Sequence, residues 1–206
     1  MYYYSVSDEV IGEIVIKKSR FIGYISPVNS ETEAEDIVKK AKQKWPNARH
    51  YCYAYVLREQ NLERYSDDGE PSGTAGVPIL GVLRNQNLEN IIVVVTRYFG
   101  GTLLGAPGLV RAYSNATSQV IQRASIKKYV LCAHIQITAD YSYWSNIEYN
   151  LLKEKLLISN VEYLEQVKAE LYTPVDKEEK VIKQITSLSN GTTIINKYAN
   201  QYVSLN

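Results

Sequence analysis

Five consecutive β-branched residues, Ile91-Ile92-Val93-Val94-Val95, set the first condition on how this chain folds. Side chains alternate across a strand, so such a run presents apolar surface on both faces and must be covered on both. The strand is expected from Glu89 to Phe99. A glycine-rich stretch at 100–108 follows at once, and then a helix with Leu109, Ala112, Tyr113, Ala116 and Val120 on one face. Pro107 suits the first position of that helix.

The segments before it alternate between strand and helix. Val10 to Lys17 and Arg20 to Val28 are β-rich runs around a short polar break at Lys18-Ser19, which predicts a hairpin. Ser30 and Glu33 form a capping-box pair, and Ala34, Ile37, Val38, Ala41 and Trp45 follow at helical spacing. Pro46-Asn47 ends that helix. His50 to Arg58 reads as a strand, residues 59–76 as a long polar loop, and Pro78 to about Asn85 as a helix. After Ser125 the pattern restarts with strand 130–138, helix 141–155, strands 157–165 and 168–173, helix 174–188 and strand 192–204. That order, β-α-β-β-α-β, is the ferredoxin-like split unit. The expected class is therefore α+β, with an N-terminal α/β domain over residues 1–129 and a ferredoxin-like domain over 130–206.

Charge and cysteine content exclude several function classes. The chain has 206 residues and a net charge of +1, with +3 over residues 1–130 and −2 over 131–206, so any phosphate-seeking surface must be local. Only Cys52 and Cys132 are present, which excludes a disulfide framework and fits a reducing cytoplasm. No apolar run reaches the ~18–20 residues of a spanning helix, so no membrane association is expected. MYYYSVSDEV carries no basic leader or apolar core of a secretory signal. Tyrosine supplies 18 of the 22 aromatic residues, standing where another chain would carry Phe.

Three segments could carry chemistry. In Ala48-Arg49-His50-Tyr51-Cys52-Tyr53-Ala54-Tyr55, strand alternation puts His50 and Cys52 on one face and Tyr51, Tyr53 and Tyr55 on the other. The tyrosine face either stacks nucleobases or packs under a helix. In Ser66 to Gly76, Asp67, Asp68 and Glu70 crowd three carboxylates into four residues. They repel one another unless solvent, Arg or a hard cation such as Mg²⁺ compensates. In Thr96 to Tyr113, Gly100, Gly101, Gly105 and Gly108 lie between a buried strand and a helix N-terminus, the architecture of a phosphate cradle. Arg97 and Arg111 either contact phosphate or pair with the three carboxylates as an internal clamp. The spacing matches neither a Walker A loop nor a dinucleotide fingerprint, and no cofactor motif is present. His50-x-Cys52 and Cys132-x-His134 each put two soft ligands on one strand face, but the spacing fits no familiar zinc site.

Lys18-Ser19-Arg20-Phe21-Ile22, Ala48 to Cys52, Ser66 to Gly76 with Pro78, and Thr96 to Ser114 together resemble the IMPACT family, whose bacterial members are often called YigZ-type proteins. The match covers roughly residues 10–125 in family order. Leu103 stands where many members carry Lys, and Pro107 where Gly is usual. The resemblance implies an N-terminal domain like one found in a ribosomal protein and in the fourth domain of elongation factor G, and a second domain like that factor's fifth. Eukaryotic members restrain a stress kinase through its activating partner, so the resemblance implies a connection with RNA, ribosomes or a translation-related protein partner.

Two functions follow. The first is a non-enzymatic cytoplasmic protein that meets RNA or the ribosome. In it, Arg20, Arg49, Arg97 and Arg111 approach phosphates, the 100–108 amides assist, and Tyr53 stacks bases. The alternative is a metal-assisted hydrolase of a small phosphorylated or peptide-like substrate, with His50 as acid/base and Asp67, Asp68 and Glu70 as metal ligands. In either case Arg49, His50, Asp67, Asp68, Glu70, Arg97 and Arg111 are expected around one cleft.

Overall fold

The structure, a computed structural model, describes residues 1–205. It divides into two compact units, one of Tyr3–Lys127 and one of Met1–Tyr2 with the residues from Lys128 onward. No helix among the described residues is long and apolar enough to cross a membrane.

The first unit is built on a five-stranded antiparallel sheet. Its strands are β2 (Val10–Ile16), β3 (Ser19–Pro27), β4 (His50–Leu57), β5 (Leu62–Ser66) and β6 (Ile91–Tyr98), in the order β2-β3-β6-β4-β5. The β-branched run lies in the central strand and is buried on both faces, as its composition requires. Ile91, Val93 and Val95 join one core, beneath α2 (Gly76–Asn85) and α3 (Gly105–Arg123). Ile92 and Val94 join the other, with Tyr24, Tyr55 and Leu57, beneath α1 (Glu31–Lys44). Each fully buried Val or Ile contributes about 1.5–3 kcal/mol, so this strand anchors both layers.

Local signals place the helices. Ser30 Oγ accepts from the Glu33 N–H at 3.2 Å, which is the expected N-cap. The reciprocal bond goes one residue further out, because Glu33 Oε2 accepts from the N–H of Asn29 at 2.7 Å. Helices α2 and α3 both begin two residues before their prolines. Pro78 and Pro107 therefore occupy the third helical position, where a missing N–H still costs nothing.

Two strands were not expected. β1 (Tyr2–Val6) buries Tyr3 and Val6 and is fixed by the Glu89 N–H donating to Tyr4 O at 2.9 Å. β5 lies inside the stretch read as polar loop. It pairs with β4 from Leu57↔Leu62 to Tyr53↔Ser66, yet it is an edge strand whose charged residues hide its alternation.

The second unit runs β7 (Ile126–Ala139), α4 (Tyr141–Lys153), β8 (Leu157–Tyr163), β9 (Val167–Pro174), a 3-10 turn at Val175–Lys177, α5 (Glu178–Leu188) and β10 (Ile194–Ser204). The strands pair antiparallel in the order β10-β7-β9-β8. Ile135, Ile137, Val167, Ala169 and Leu171 meet Trp144, Ile147, Leu151, Val181 and Ile185 in its core. The Leu131 N–H donates to Met1 O at 3.0 Å, tying the first residues to this unit.

The hairpin between β2 and β3 turns through Lys17 and Lys18 alone, with φ of 46° and 66°. A two-residue turn with both residues left-handed favours Asn-Gly, so two lysines here hold backbone strain. The turn rests directly on Gly100, where an added Cβ would lie 2.0 Å from Lys18 C and 2.3 Å from Ser19 N. Gly100→Ala should therefore lower stability by about 3 kcal/mol or more in urea unfolding. Gly81, inside α2, has nothing within 4 Å of a built Cβ. Gly81→Ala should stabilise by about 0.5–1 kcal/mol. Equal effects of the two substitutions would contradict the docked-turn geometry.

Candidate functional site

The acidic segment folds onto the α2/α3 face of the sheet, and each of its carboxylates is engaged there. Asp67 Oδ1 accepts from the N–H groups of Ala75 and Gly76 at 2.9 Å each, and Oδ2 accepts from Gly73 at 2.8 Å. It thus satisfies the first free donors of α2, a helix whose own N-cap, Ala75, has no side chain to do so. Asp68 Oδ2 accepts from the Tyr51 N–H at 2.7 Å. His50 Nδ1 lies 2.8 Å from Asp68 O, and because a carbonyl only accepts, Nδ1 carries the proton. Asp68 and Gly69 both take positive φ, which lets the chain double back beside the imidazole.

Glu70 reaches deepest. Its Oε1 accepts from Arg97 Nη1 at 2.6 Å and from the Tyr113 hydroxyl at 2.8 Å, with His50 Nε2 3.9 Å away. The Glu70 and Arg97 side chains are 4% and 6% exposed, so this is a buried ion pair. Arg97 Nη2 continues to Ser19 Oγ at 3.4 Å, and Ser19 Oγ accepts from the Gly100 N–H at 3.2 Å. One network therefore runs from α3 through the acidic loop and β6 to the glycine loop. The Arg97 guanidinium also lies 5.4 Å from the Phe21 ring centre and 5.6 Å from that of Phe99, which closes it in.

These placements sort the expected site residues. His50, Asp67, Asp68, Glu70 and Arg97 do come together, as an internal clamp. Arg97 was expected at a phosphate; instead it faces inward, because a carboxylate buried at 4% exposure needs a counter-charge. Tyr53 lies on the opposite face of the sheet, packed with Tyr51 against the core under α1. Arg20 forms a two-pronged pair with Glu13 at 2.7 and 2.8 Å. Arg49 stands exposed over Phe99, 6.0 Å from the ring centre.

Arg111 is exposed outside the clamp. It lines a groove of about 490 Å³ with Lys17, Leu104, Pro107 and Gly108. Among the described residues, Lys17, Lys18, Arg49 and Arg111 enter no ion pair. Gly105 opens α3 with φ of 72°, and no side chain caps that end of the helix. Gly101 also takes a left-handed φ, 82°, and no atom lies within 4 Å of a Cβ built there.

Sequence reasoning missed Ser19, Tyr113, Lys17 and Lys18. Lys18-Ser19 read as a break between strands and as part of a family motif, and Tyr113 as part of an apolar stripe, none of them with a role in the site. The available signal was the hydroxyl of Tyr113, since a buried phenol requires a partner.

The carboxylates of the clamp are committed to internal partners, Asp67 to the start of α2, Asp68 to the Tyr51 N–H and Glu70 to Arg97 and Tyr113. Among the described residues no group of three or more His, Cys, Asp or Glu side chains is arranged to hold a metal ion. Burial pushes the Cys52 thiol far up, and its Sγ donates to Asp67 O at 2.9 Å. The clamp should instead appear as stability. Glu70→Gln leaves Arg97 buried without its counter-charge and should cost about 3–5 kcal/mol in urea unfolding. Tyr113→Phe removes the bond donated to Glu70 and the one accepted from Cys52 Sγ, and should cost about 1–3 kcal/mol. A Glu70→Gln protein as stable as the parent would contradict this role.

The segments that shape the site lie within a stretch shared with known proteins. The Impact N-terminal domain matches residues 17–121, from the strained turn to the last turns of α3. A domain of unknown function, DUF1949, matches residues 137–192. The IMPACT family member YvyE of Bacillus subtilis is 40% identical over 194 residues, covering 94% of this chain and 89% of its own length. The IMPACT family member YigZ of Escherichia coli is 32% identical over 180 residues, covering 86% and 88%. A solved structure titled as that of a hypothetical protein superposes with a TM-score of 0.63 at 29% identity, over 96% of this chain and 98% of the other. The chain belongs to the IMPACT family.

Proposed function

We propose that this protein is a non-enzymatic, cytoplasmic RNA- or ribosome-associated protein connected with translation, and that it meets phosphates at the glycine loop rather than at the acidic clamp. The observation that carries this reading is the set of unpaired cations around one backbone surface. Lys17 and Lys18 are held in a strained turn against Gly100, and Arg111 lies beside Lys17 on the groove at the start of α3. The N–H groups of Gly105 and Ala106 lack a side-chain cap, and such groups favour anions. Arg49 over Phe99 adds a fourth cation just before the loop. Arg97 and the three carboxylates act here as the brace that fixes the loop.

The fold supports the same reading. An antiparallel β10-β7-β9-β8 order within β-α-β-β-α-β is what a ferredoxin-like domain has, in keeping with the likeness to the fifth domain of elongation factor G. On the same likeness, the first unit is read as a counterpart of that factor's fourth domain. A translation-related protein partner remains part of the proposal, since family membership implies it independently of RNA.

A site of three or four cations is small. Single-stranded RNA should bind with a log–log salt slope of about −2 to −3. Lys17→Ala and Arg111→Ala should each weaken binding and flatten the slope by about 0.7. Arg97→Met should alter the melting midpoint but leave the slope alone. Labelled oligouridine titrated at several salt concentrations measures all three. Binding absent at low salt, or unaffected by both substitutions, would overturn the phosphate reading and leave the protein partner.

A further inference from the structure

The groove at the start of α3 continues past the glycine loop. A second hollow of about 390 Å³ extends it along the helix, lined by Ile14, Ile16, Asn115, Ser118, Gln119 and Gln122. Ile16 and Asn115 line both hollows, so one channel runs between α3 and the edge strand β2. Its floor is apolar, because alternate residues of β2 turn Gly12, Ile14 and Ile16 toward the α3 side.

The helix wall of the channel is polar and uncharged. Asn115, Ser118 and Gln122 recur at helical spacing after Arg111, with Gln119 beside them. Among the described residues, none of these four side chains has a hydrogen-bond partner within the protein. The far end meets another cation. Arg123 is exposed, and its Nη1 lies 3.5 Å from a Cβ built on Gly12. Among the described residues it enters no ion pair.

Charge decides between occupants. None of the 19 residues of α3 is Asp or Glu, whereas an exposed helix face usually mixes both signs. The carboxylates near β2 are turned elsewhere. Glu13 alternates to the other face of the strand and pairs with Arg20 at 2.7 Å. Asp8 and Glu9 line a hollow under α1, on the opposite face of the sheet. Lys17 and Arg111 at one end and Arg123 at the other therefore stand unopposed, which favours a polyanion and disfavours a basic segment. The amides choose among polyanions. Each offers both a donor and an acceptor, matching the base edges and ribose hydroxyls of RNA, which an acidic peptide lacks. Arg111 and Arg123 are separated by about 18 Å along the helix axis, the length of about five stacked nucleotides.

We propose that the channel between α3 and β2 carries about five nucleotides of single-stranded RNA away from the glycine loop, with a phosphate on Arg123 and the nucleosides hydrogen-bonded by Asn115 and Gln119. This rests on reading the loop as a phosphate site, and adds to it a track, a length and contacts beyond the phosphates.

The test titrates the isotope-labelled full chain with octauridine and with the dinucleotide pUpU. Octauridine should move the amides of residues 12–16 and 115–123 as well as those of the loop. The dinucleotide is too short to reach the far end and should leave residues 118–123 unmoved. Arg123→Gln, an exposed change, should weaken octauridine binding and flatten its salt slope by about 0.7. Asn115→Ala and Gln119→Ala put a strong helix former on an exposed face, and each should weaken binding about threefold at an unchanged slope. Octauridine that moves the loop but not residues 118–123, with the Arg123→Gln slope equal to the parent's, overturns the channel and leaves the loop reading standing. No octauridine binding at low salt overturns both. A hexa-aspartate peptide that moves residues 115–123 more strongly than octauridine also overturns the proposal, and assigns the channel to an acidic protein segment.

Discussion

A single buried carboxylate organises the first unit. Glu70 accepts from Arg97 and from Tyr113, and so joins the acidic loop to the central strand and to the third helix. Burying an ion pair carries a large desolvation penalty, offset only when the partners' remaining hydrogen-bonding groups are matched. Here Arg97 Nη2 passes the network on to Ser19, and Ser19 to the Gly100 amide, while the buried Arg97 Nε has no hydrogen-bond partner. The flexible-looking glycine loop is thereby fixed at its first residue. Charge that looked catalytic in the sequence acts as a brace.

That brace has a consequence on the surface. Gly100 admits the β2–β3 turn at a distance no Cβ would allow, and Lys17 and Lys18 are held there with left-handed backbones. Two lysines in such a turn store strain that neighbouring structure must hold in place. The same packing leaves both lysines exposed, Lys17 beside Arg111 at an uncapped helix start. In the proposed reading, exposed cations over a fixed backbone would meet a polyanion whose sequence is not read, because phosphates position a partner without specifying it.

Much of the framework was legible because it rests on local chemistry. The Ile91–Val95 run gave both faces of the central strand, and Ser30 gave the first helix start. The β-α-β-β-α-β order of the second unit follows from its hydrophobic spacing. Edges were harder: β5 carries Glu63 and Arg64, and β1 has no bounding turn signal, so both escaped pattern reading. Pairings were hardest. Whether Arg97 met a phosphate or a carboxylate depended on Glu70, 27 residues away in sequence, reaching into the core. Lys17 and Lys18 became conspicuous only when the turn was found against Gly100.

The central claim is that the anionic loop braces and the glycine loop binds. Amide-shift mapping of the isotope-labelled chain with oligouridine at low salt tests it most directly. The account predicts shifts at residues 16–20, 49 and 100–111, with the amides of Asp67, Asp68 and Glu70 unmoved. Shifts centred on His50 and residues 66–76, with the Lys17–Lys18 turn silent, would contradict it.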